Sequence, residues 1–395
     1  MKNHPLFAIA ALAAVLVATT RAAESVKLTP LQQQAAALRF APGEKAVFLG
    51  LFTHLEPYAS LADKLDSLNR LIAKNPHITG ITLKIQWKQL HPAKDTYDWA
   101  GVENLVRTAN QAGKLVNFAL IPGAAAPDWI FTEGVVRAGP FEFGRQNTTA
   151  PLPWDPKLME LFSADLKKLA GRYGDDPRIF QIEVLGHNYN PGGEEMHSPS
   201  VEAMKPYDWS KEKVLANWKY WIDQYAALFP HKKLSLVISQ MYRGSGMELP
   251  EKVTAYFMER CAGRGVLQTH QMGGRTDRLV ESGQICREHS RLAPNCHEAV
   301  LSFKESPDRQ GTPAMTIYNA RQAGDNLLYF QFWRRDCEDP QYAKAFLDAY
   351  AKYSQVPLEN LKERLVADGL YVPPETREPT PAPSPPALKP PDSTR

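Results

Sequence analysis

Eight short apolar runs, each followed by a stretch of helical spacing, alternate along the chain between Val47 and Tyr353. The runs are Val47 to Phe52, Ile78 to Trp87, Lys114 to Pro122, Ile179 to Gly186, Lys233 to Gln240, Gly265 to Met272, Ala299 to Ser306 and Asn326 to Trp333. Strands that alternate with helices predict a parallel sheet, and eight such units are enough to close it into a (β/α)8 TIM barrel, an α/β fold. Between the runs, Leu61, Leu65, Leu68 and Ile72 recur at helical spacing, as do Leu158, Phe162, Leu166 and Leu169, which places these residues in the wall between helix and sheet. Asp155-Pro156 predicts a helix start, with an N-cap acceptor followed by proline at the first helical position. In such barrels the chemistry sits on loops beyond the strand C-termini, so residues just past the runs are the first to consider.

The flanks read differently. Lys2 and the apolar run from Leu6 to Ala18, with Ala22 and Ala23 beyond, predict a signal peptide over residues 1–22 and hence a periplasmic or secreted protein. A polar lead-in covers 23–45, the barrel 46–372, and a proline-rich tail of disordered composition 373–395. Loss of the leader would remove Lys2 and Arg21 and bring the formal charge of +3 to +1, so nothing marks the chain as a nucleic-acid binder. No later segment reads as a membrane span, and oligomeric state is not legible. The four cysteines, Cys261, Cys286, Cys296 and Cys337, suggest two disulfides in an oxidising compartment, Cys286 with Cys296 and Cys261 with Cys337. They lack the spacing of a metal site, and no cofactor motif is present. Gly273-Gly274-Arg275, after the sixth run, reads as a tight turn whose N–H groups could also face an anion.

The candidate chemistry is carboxylic. Ile179-Phe-Gln-Ile-Glu-Val-Leu-Gly186 opens into a loop that carries His187, Asn188, Glu194, Glu195 and His197, while Glu305 stands at the end of the seventh run. Two carboxyl groups facing each other across a sugar can split a glycosidic bond, one protonating the departing oxygen and the other attacking the anomeric carbon or activating water. Glu183 and Glu298 fall inside or before their runs and read as structural. Trp87, Trp129 and Trp333 near strand ends suggest a carbohydrate cleft, with Asn117, Asn188, His270, Gln271 and Gln331 as partners for sugar hydroxyls.

Ile81 to Trp99, with its strand-end tryptophan and a Pro-x-x-Asp-x-Tyr-Asp turn, resembles the second-strand region of clan-A glycoside hydrolases such as the β-galactosidase-like families. Arg172 to Ile179 is similar to that clan's approach to strand four, and Trp333 to its strand-eight tryptophan. The resemblance implies a retaining glycosidase with a nucleophile at the end of strand seven, which fits Glu305, and an acid/base glutamate after strand four, Glu195 or Glu194. On this expectation Glu305→Gln abolishes turnover. Because the clan places Asn-Glu together at the end of strand four, whereas Asn188 here precedes Tyr189, a non-catalytic carbohydrate-binding barrel is the alternative. A histidine-dependent barrel lyase or deacetylase is a further one.

Overall fold

The computed structural model describes residues 27–143, 146–186, 199–275, 277 and 279–371. Its centre is a closed barrel of eight parallel strands: β1 (Leu51–His54), β2 (Ile78–Gln86), β3 (Leu115–Ile121), β4 (Ile179–Glu183), β5 (Lys233–Val237), β6 (Gly265–Met272), β7 (Asn295–Ala299) and β8 (Leu327–Phe332). Each strand pairs with its neighbours in sequence, and β1 pairs with β8 to close the ring, Leu51 opposite Phe330. This is the (β/α)8 barrel that the alternation predicted, and six of the eight strands lie within the runs named above.

Strand β7 does not lie where the apolar pattern put it. The expected run was Ala299 to Ser306, but the strand is Asn295–Ala299, and Ser302 to Glu305 form a turn beyond it. The cause is a polar barrel interior: Cys296 and Glu298 face inward, so the strand has no apolar alternation to announce it. Phe303, which made the later segment look like a strand, packs on Phe332 at 5.1 Å between ring centroids. Asp336 pins the turn, accepting from Ser302 Oγ at 2.7 Å and from the backbone N–H groups of Phe303 and Lys304 at 3.0 and 2.9 Å. Strand β1 likewise starts four residues later than its run and reaches His54.

The helices follow local rules. Asp155 caps Pro156–Tyr173, its Oδ1 accepting from the N–H groups of Lys157 and Leu158, and Ser60 caps Leu61–Lys74, whose Leu61, Leu68 and Leu71 are buried. Part of the polar lead-in forms a helix, Pro30–Ala37, with a Thr29/Gln32 capping box. This helix closes the N-terminal face of the barrel, where Ala35 and Phe40 join Leu49, Phe52, Leu115, Phe180, Val266 and Leu328 in one buried cluster. Lys233 donates to the carbonyls of Ala35 and Ala36 at 2.8 and 3.1 Å, and burial lowers its pKa to about 8.

Above that floor the interior turns polar. Phe52 and Tyr329 stack at 4.1 Å, and Gly80 makes room for them, since a Cβ there would lie 2.2 Å from the Phe52 ring. The Tyr329 hydroxyl accepts from Asn117 Nδ2 at 3.0 Å and Gln181 Nε2 at 2.8 Å and donates to Gln268 Oε1 at 3.4 Å, which fills its hydrogen-bonding capacity. A layer of amide side chains thus stands between the apolar floor and the C-terminal mouth. A hairpin, Arg137–Phe143 with Gln146–Pro151, is inserted after β3. No helix among the described residues is long and apolar enough to cross a membrane.

All four cysteines are buried free thiols, so the expected disulfides do not form. Burial raises their pKa values, to about 11 for Cys261 and about 12 for Cys286. The predicted leader and tail lie outside the described residues.

Candidate functional site

At the mouth of the barrel five strands converge on one carboxylate. Glu298, on the inward face of β7, is 3% exposed. Its Oε2 accepts a short hydrogen bond from Gln331 Nε2, and Gln331 is its cross-strand partner on β8. The ammonium of Lys84, on β2, lies 3.6 Å from the same oxygen. His54 Nδ1 on β1 and His270 Nε2 on β6 each lie 3.8 Å from it. A carboxylate taken out of water needs compensating charge and donors, and here the Gln331 amide and the Lys84 ammonium supply them, with the His54 and His270 rings packed beside the same oxygen.

The orientation of this set is built in from below. Gln331 receives a short hydrogen bond from Thr82 Oγ1 on its Oε1, so its Nε2 is the end presented to Glu298. Gln268 accepts at Oε1 from Cys296 Sγ at 3.3 Å and from Tyr329, which leaves its Nε2 to meet His270 Nε2 at 2.6 Å. That ring nitrogen is then the acceptor of the pair. The amide layer therefore fixes both a donor and a histidine around Glu298. On the outer face of β7, His297 is buried and burial lowers its pKa to about 3, so it is a neutral wall residue.

Glu183 is the last residue of β4 and is buried, on the same face as Gln181. The pKa values of Cys296 and Tyr329 are raised well above normal, by burial first, and the nearby charge of Glu183 adds to both. Two residues further on, Leu185 packs with Ala119, Ile121 and Ala125 in a small apolar cluster.

The residues singled out from sequence divide into groups. His270 and Gln331 touch the Glu298 set, and Trp333 borders it, its ring edge-on to His54 at 5.3 Å and its Nε1 donating to the Ala299 carbonyl at 2.8 Å. Trp87 is fully buried and donates to Asp165 Oδ2 at 2.6 Å; Trp129 packs against it and donates to the His91 carbonyl at 3.1 Å. Those two indoles belong to a cluster with Phe162, His91 and Tyr97 in the helix layer. Glu305 sits six residues past β7 in the pinned turn, half exposed, and pairs with Arg335. Asn117 lies in the amide layer, and Gln271 is exposed beside the mouth. Asn188, Glu194 and Glu195, together with His187 and His197, lie outside the described residues. Sequence reasoning passed over Glu298, His54 and Lys84. The available signal was alternation in polar residues: Cys296 and Glu298 on β7 repeat the two-residue spacing of Gln268 and His270 on β6.

No protein-family model matches the sequence, and no curated protein does. Solved structures do resemble it. The β-galactosidase of Rahnella sp. R3 superposes with a TM-score of 0.50 at 13% identity, over 79% of this chain and 57% of that one. That of Marinomonas ef1 gives 0.48 at 10%, over 79% and 61%, and native xylanase 10B of Thermotoga maritima gives 0.46 at 12%, over 81% and 97%. The chain spans about three fifths of the length of these β-galactosidases. What it shares with the Rahnella enzyme is the fold, a (β/α)8 barrel.

Proposed function

We propose that the chain is a glycoside hydrolase acting on β-linked oligo- or polysaccharides by a retaining mechanism, with Glu298 as the nucleophile. The observation that carries this reading is the convergence of His54, Lys84, His270 and Gln331 on the Glu298 carboxylate at the end of β7. Glu298 attacks the anomeric carbon, and a second carboxylic acid protonates the departing oxygen and then activates the water that releases the sugar. The acid is assigned to the segment after β4, Glu195 or Glu194. Trp333, half-buried beside His54, offers an apolar face to a sugar ring. From its leader pattern, the chain works in the periplasm or outside the cell.

A second reading has one observation of its own. Just beyond Glu183, the last residue of β4, Leu185 joins an apolar cluster with Ala119, Ile121 and Ala125, an apolar lining that favours a barrel that binds carbohydrate without cleaving it. A screen of the purified chain against β-linked aryl glycosides and polysaccharides, with the product anomer followed by NMR, separates the two. Release of a product of retained configuration supports the hydrolase, whereas binding with no release on any substrate supports the binder.

A further inference from the structure

The ionised carboxylate of Glu298 can only accept hydrogen bonds, and that one constraint sets the direction of a circuit of bonds that leaves it and returns to it. Gln331 must turn its Nε2 toward Glu298, which leaves its Oε1 to accept from Thr82 Oγ1. Having given its proton to Gln331, the Thr82 hydroxyl can only accept on its other side, where Asn117 Nδ2 lies at 3.5 Å. With its amino end so placed, Asn117 also donates to the Tyr329 hydroxyl at 3.0 Å.

The return arm starts at Tyr329. Its hydroxyl accepts from Asn117 and, at 2.8 Å, from Gln181 Nε2, so its single proton goes to Gln268 Oε1 at 3.4 Å. The Cys296 thiol donates to the same oxygen at 3.3 Å. Held by both, Gln268 presents its Nε2 to His270 Nε2 at 2.6 Å. Two donors cannot face each other at that distance, so the His270 proton sits on Nδ1. His270 Nε2 is itself 3.8 Å from Glu298 Oε2, and the circuit closes on the carboxylate where it began.

Thr82, Asn117, Gln268, Tyr329 and Gln331 are all fully buried, so water does not compete for these bonds. Tyr329 is clamped by its stack on Phe52 at 4.1 Å, and burial raises its pKa well above normal, so the hydroxyl keeps the proton it directs at Gln268. We propose that Tyr329 is a positioning residue for the Glu298 site: by orienting Gln268 it holds His270 as the Nδ1–H tautomer, so that the imidazole turns no proton toward Glu298. The carboxylate is then bound by the Gln331 amide and the Lys84 ammonium and keeps its electron density for attack on carbon. If Gln268 turned over, its Oε1 would draw a proton onto His270 Nε2, setting an N–H beside the carboxylate and blunting it. The tautomer follows from the hydrogen bonds alone, while its effect on rate rests on the hydrolase reading.

The test is nitrogen NMR of the full chain carrying 15N-labelled histidine, with the His270 signals identified among the ten histidines by their loss in His270→Gln. In the unaltered protein at neutral pH, His270 Nε2 should resonate as a pyridine-type nitrogen and Nδ1 as a pyrrole-type one. Tyr329→Phe frees Gln268 to turn and should bring up a population protonated at Nε2. Thr82→Val, which cuts the other arm of the circuit, should do the same and decides the point if Tyr329→Phe does not fold. On an aryl β-glycoside both variants should lose about tenfold in kcat with KM unchanged. The proposal is overturned if the unaltered protein already carries its proton on Nε2, or if the folded variants keep the original pattern. The two readings fail separately. The expected tautomer and its shift, without hydrolysis by any of the proteins, remove the hydrolase and keep the positioning role; hydrolysis with Nε2 protonated from the start does the reverse.

Discussion

Lys84 Nζ stands 3.6 Å from Glu298 Oε2 with both side chains almost completely buried, although two other strands, β1 and β8, separate theirs around the barrel. The pair is therefore a tie across the mouth, made possible because the positions between them carry His54 and Gln331 instead of bulky apolar residues. Removing one member of a buried pair leaves the other charge uncompensated, which costs about 3 kcal/mol. Lys84→Met is expected to lower stability by about that amount and to reduce turnover. Lys84→Met combined with Glu298→Gln should cost clearly less than the sum of the two single changes, because the stranded charge is then gone. Urea unfolding of the four proteins measures this, and simple additivity would show that the pair is not coupled.

Glu298 and Glu305 make a matched comparison on the same substrate. Glu298→Gln keeps the shape of the side chain while removing its nucleophile, so hydrolysis should fall on the order of 10⁴-fold with a folded protein remaining. Glu305 is half exposed and paired with Arg335 on the surface, an interaction worth at most about 1 kcal/mol. Glu305→Gln should therefore leave turnover and stability nearly unchanged. Initial rates on an aryl β-glycoside decide the point: a large loss in Glu305→Gln with none in Glu298→Gln would remove Glu298 from the chemistry.

How much of this was legible beforehand follows from what faces inward. The outer faces of β2, β3 and β8 are apolar and meet helices, and those strands lie close to where the hydrophobic pattern put them. The inner faces carry Thr82, Lys84, Asn117, Gln181, Glu183, Gln268, His270, Glu298 and Gln331, an alternation that reads as ordinary polar spacing until the barrel closes it on itself. His270, Gln331 and Trp333 were reachable because they end long apolar runs. Glu298 was not, because β7 is short and opens with Asn295, and the apolar residues that follow it belong to a turn. Trp87 shows the opposite error, since a strand-end indole is compatible with a cleft, but here its N–H meets Asp165 on a helix.

The buried thiols give a direct check on packing. Cys286, Cys296 and Cys337 are fully buried, and burial raises the thiol pKa in all four cysteines. In the native protein none should react with an aromatic disulfide reagent at neutral pH, and four should titrate after unfolding in guanidinium. A reducing agent should leave the melting temperature unchanged. A drop on reduction, or fewer than four thiols in the unfolded chain, would mean that a disulfide forms after all.

Stability should depend on pH through groups on two faces of the wall. Burial lowers the pKa of His297 from 6.5 to about 3, so between those values the unfolded chain binds a proton that the folded chain does not. Stability is then lost as pH falls through that window, by on the order of 5 kcal/mol. Burial also lowers Lys64 to about 7 and Lys232 and Lys233 to about 8, from 10.5. Above those values the folded chain has released protons that the unfolded chain still holds, so stability rises from about pH 7 toward 10.5. Tyr173 and Tyr225, whose pKa values burial raises above 10, reverse the slope beyond that point, because the folded chain keeps protons that the unfolded chain gives up. The urea midpoint should thus climb from acid to neutral pH, climb again into the alkaline range and fall only above about pH 10. His297→Gln should flatten the acid limb and Lys233→Met the alkaline one, each leaving the other limb in place. Limbs unchanged by these substitutions would assign the pH dependence to other groups.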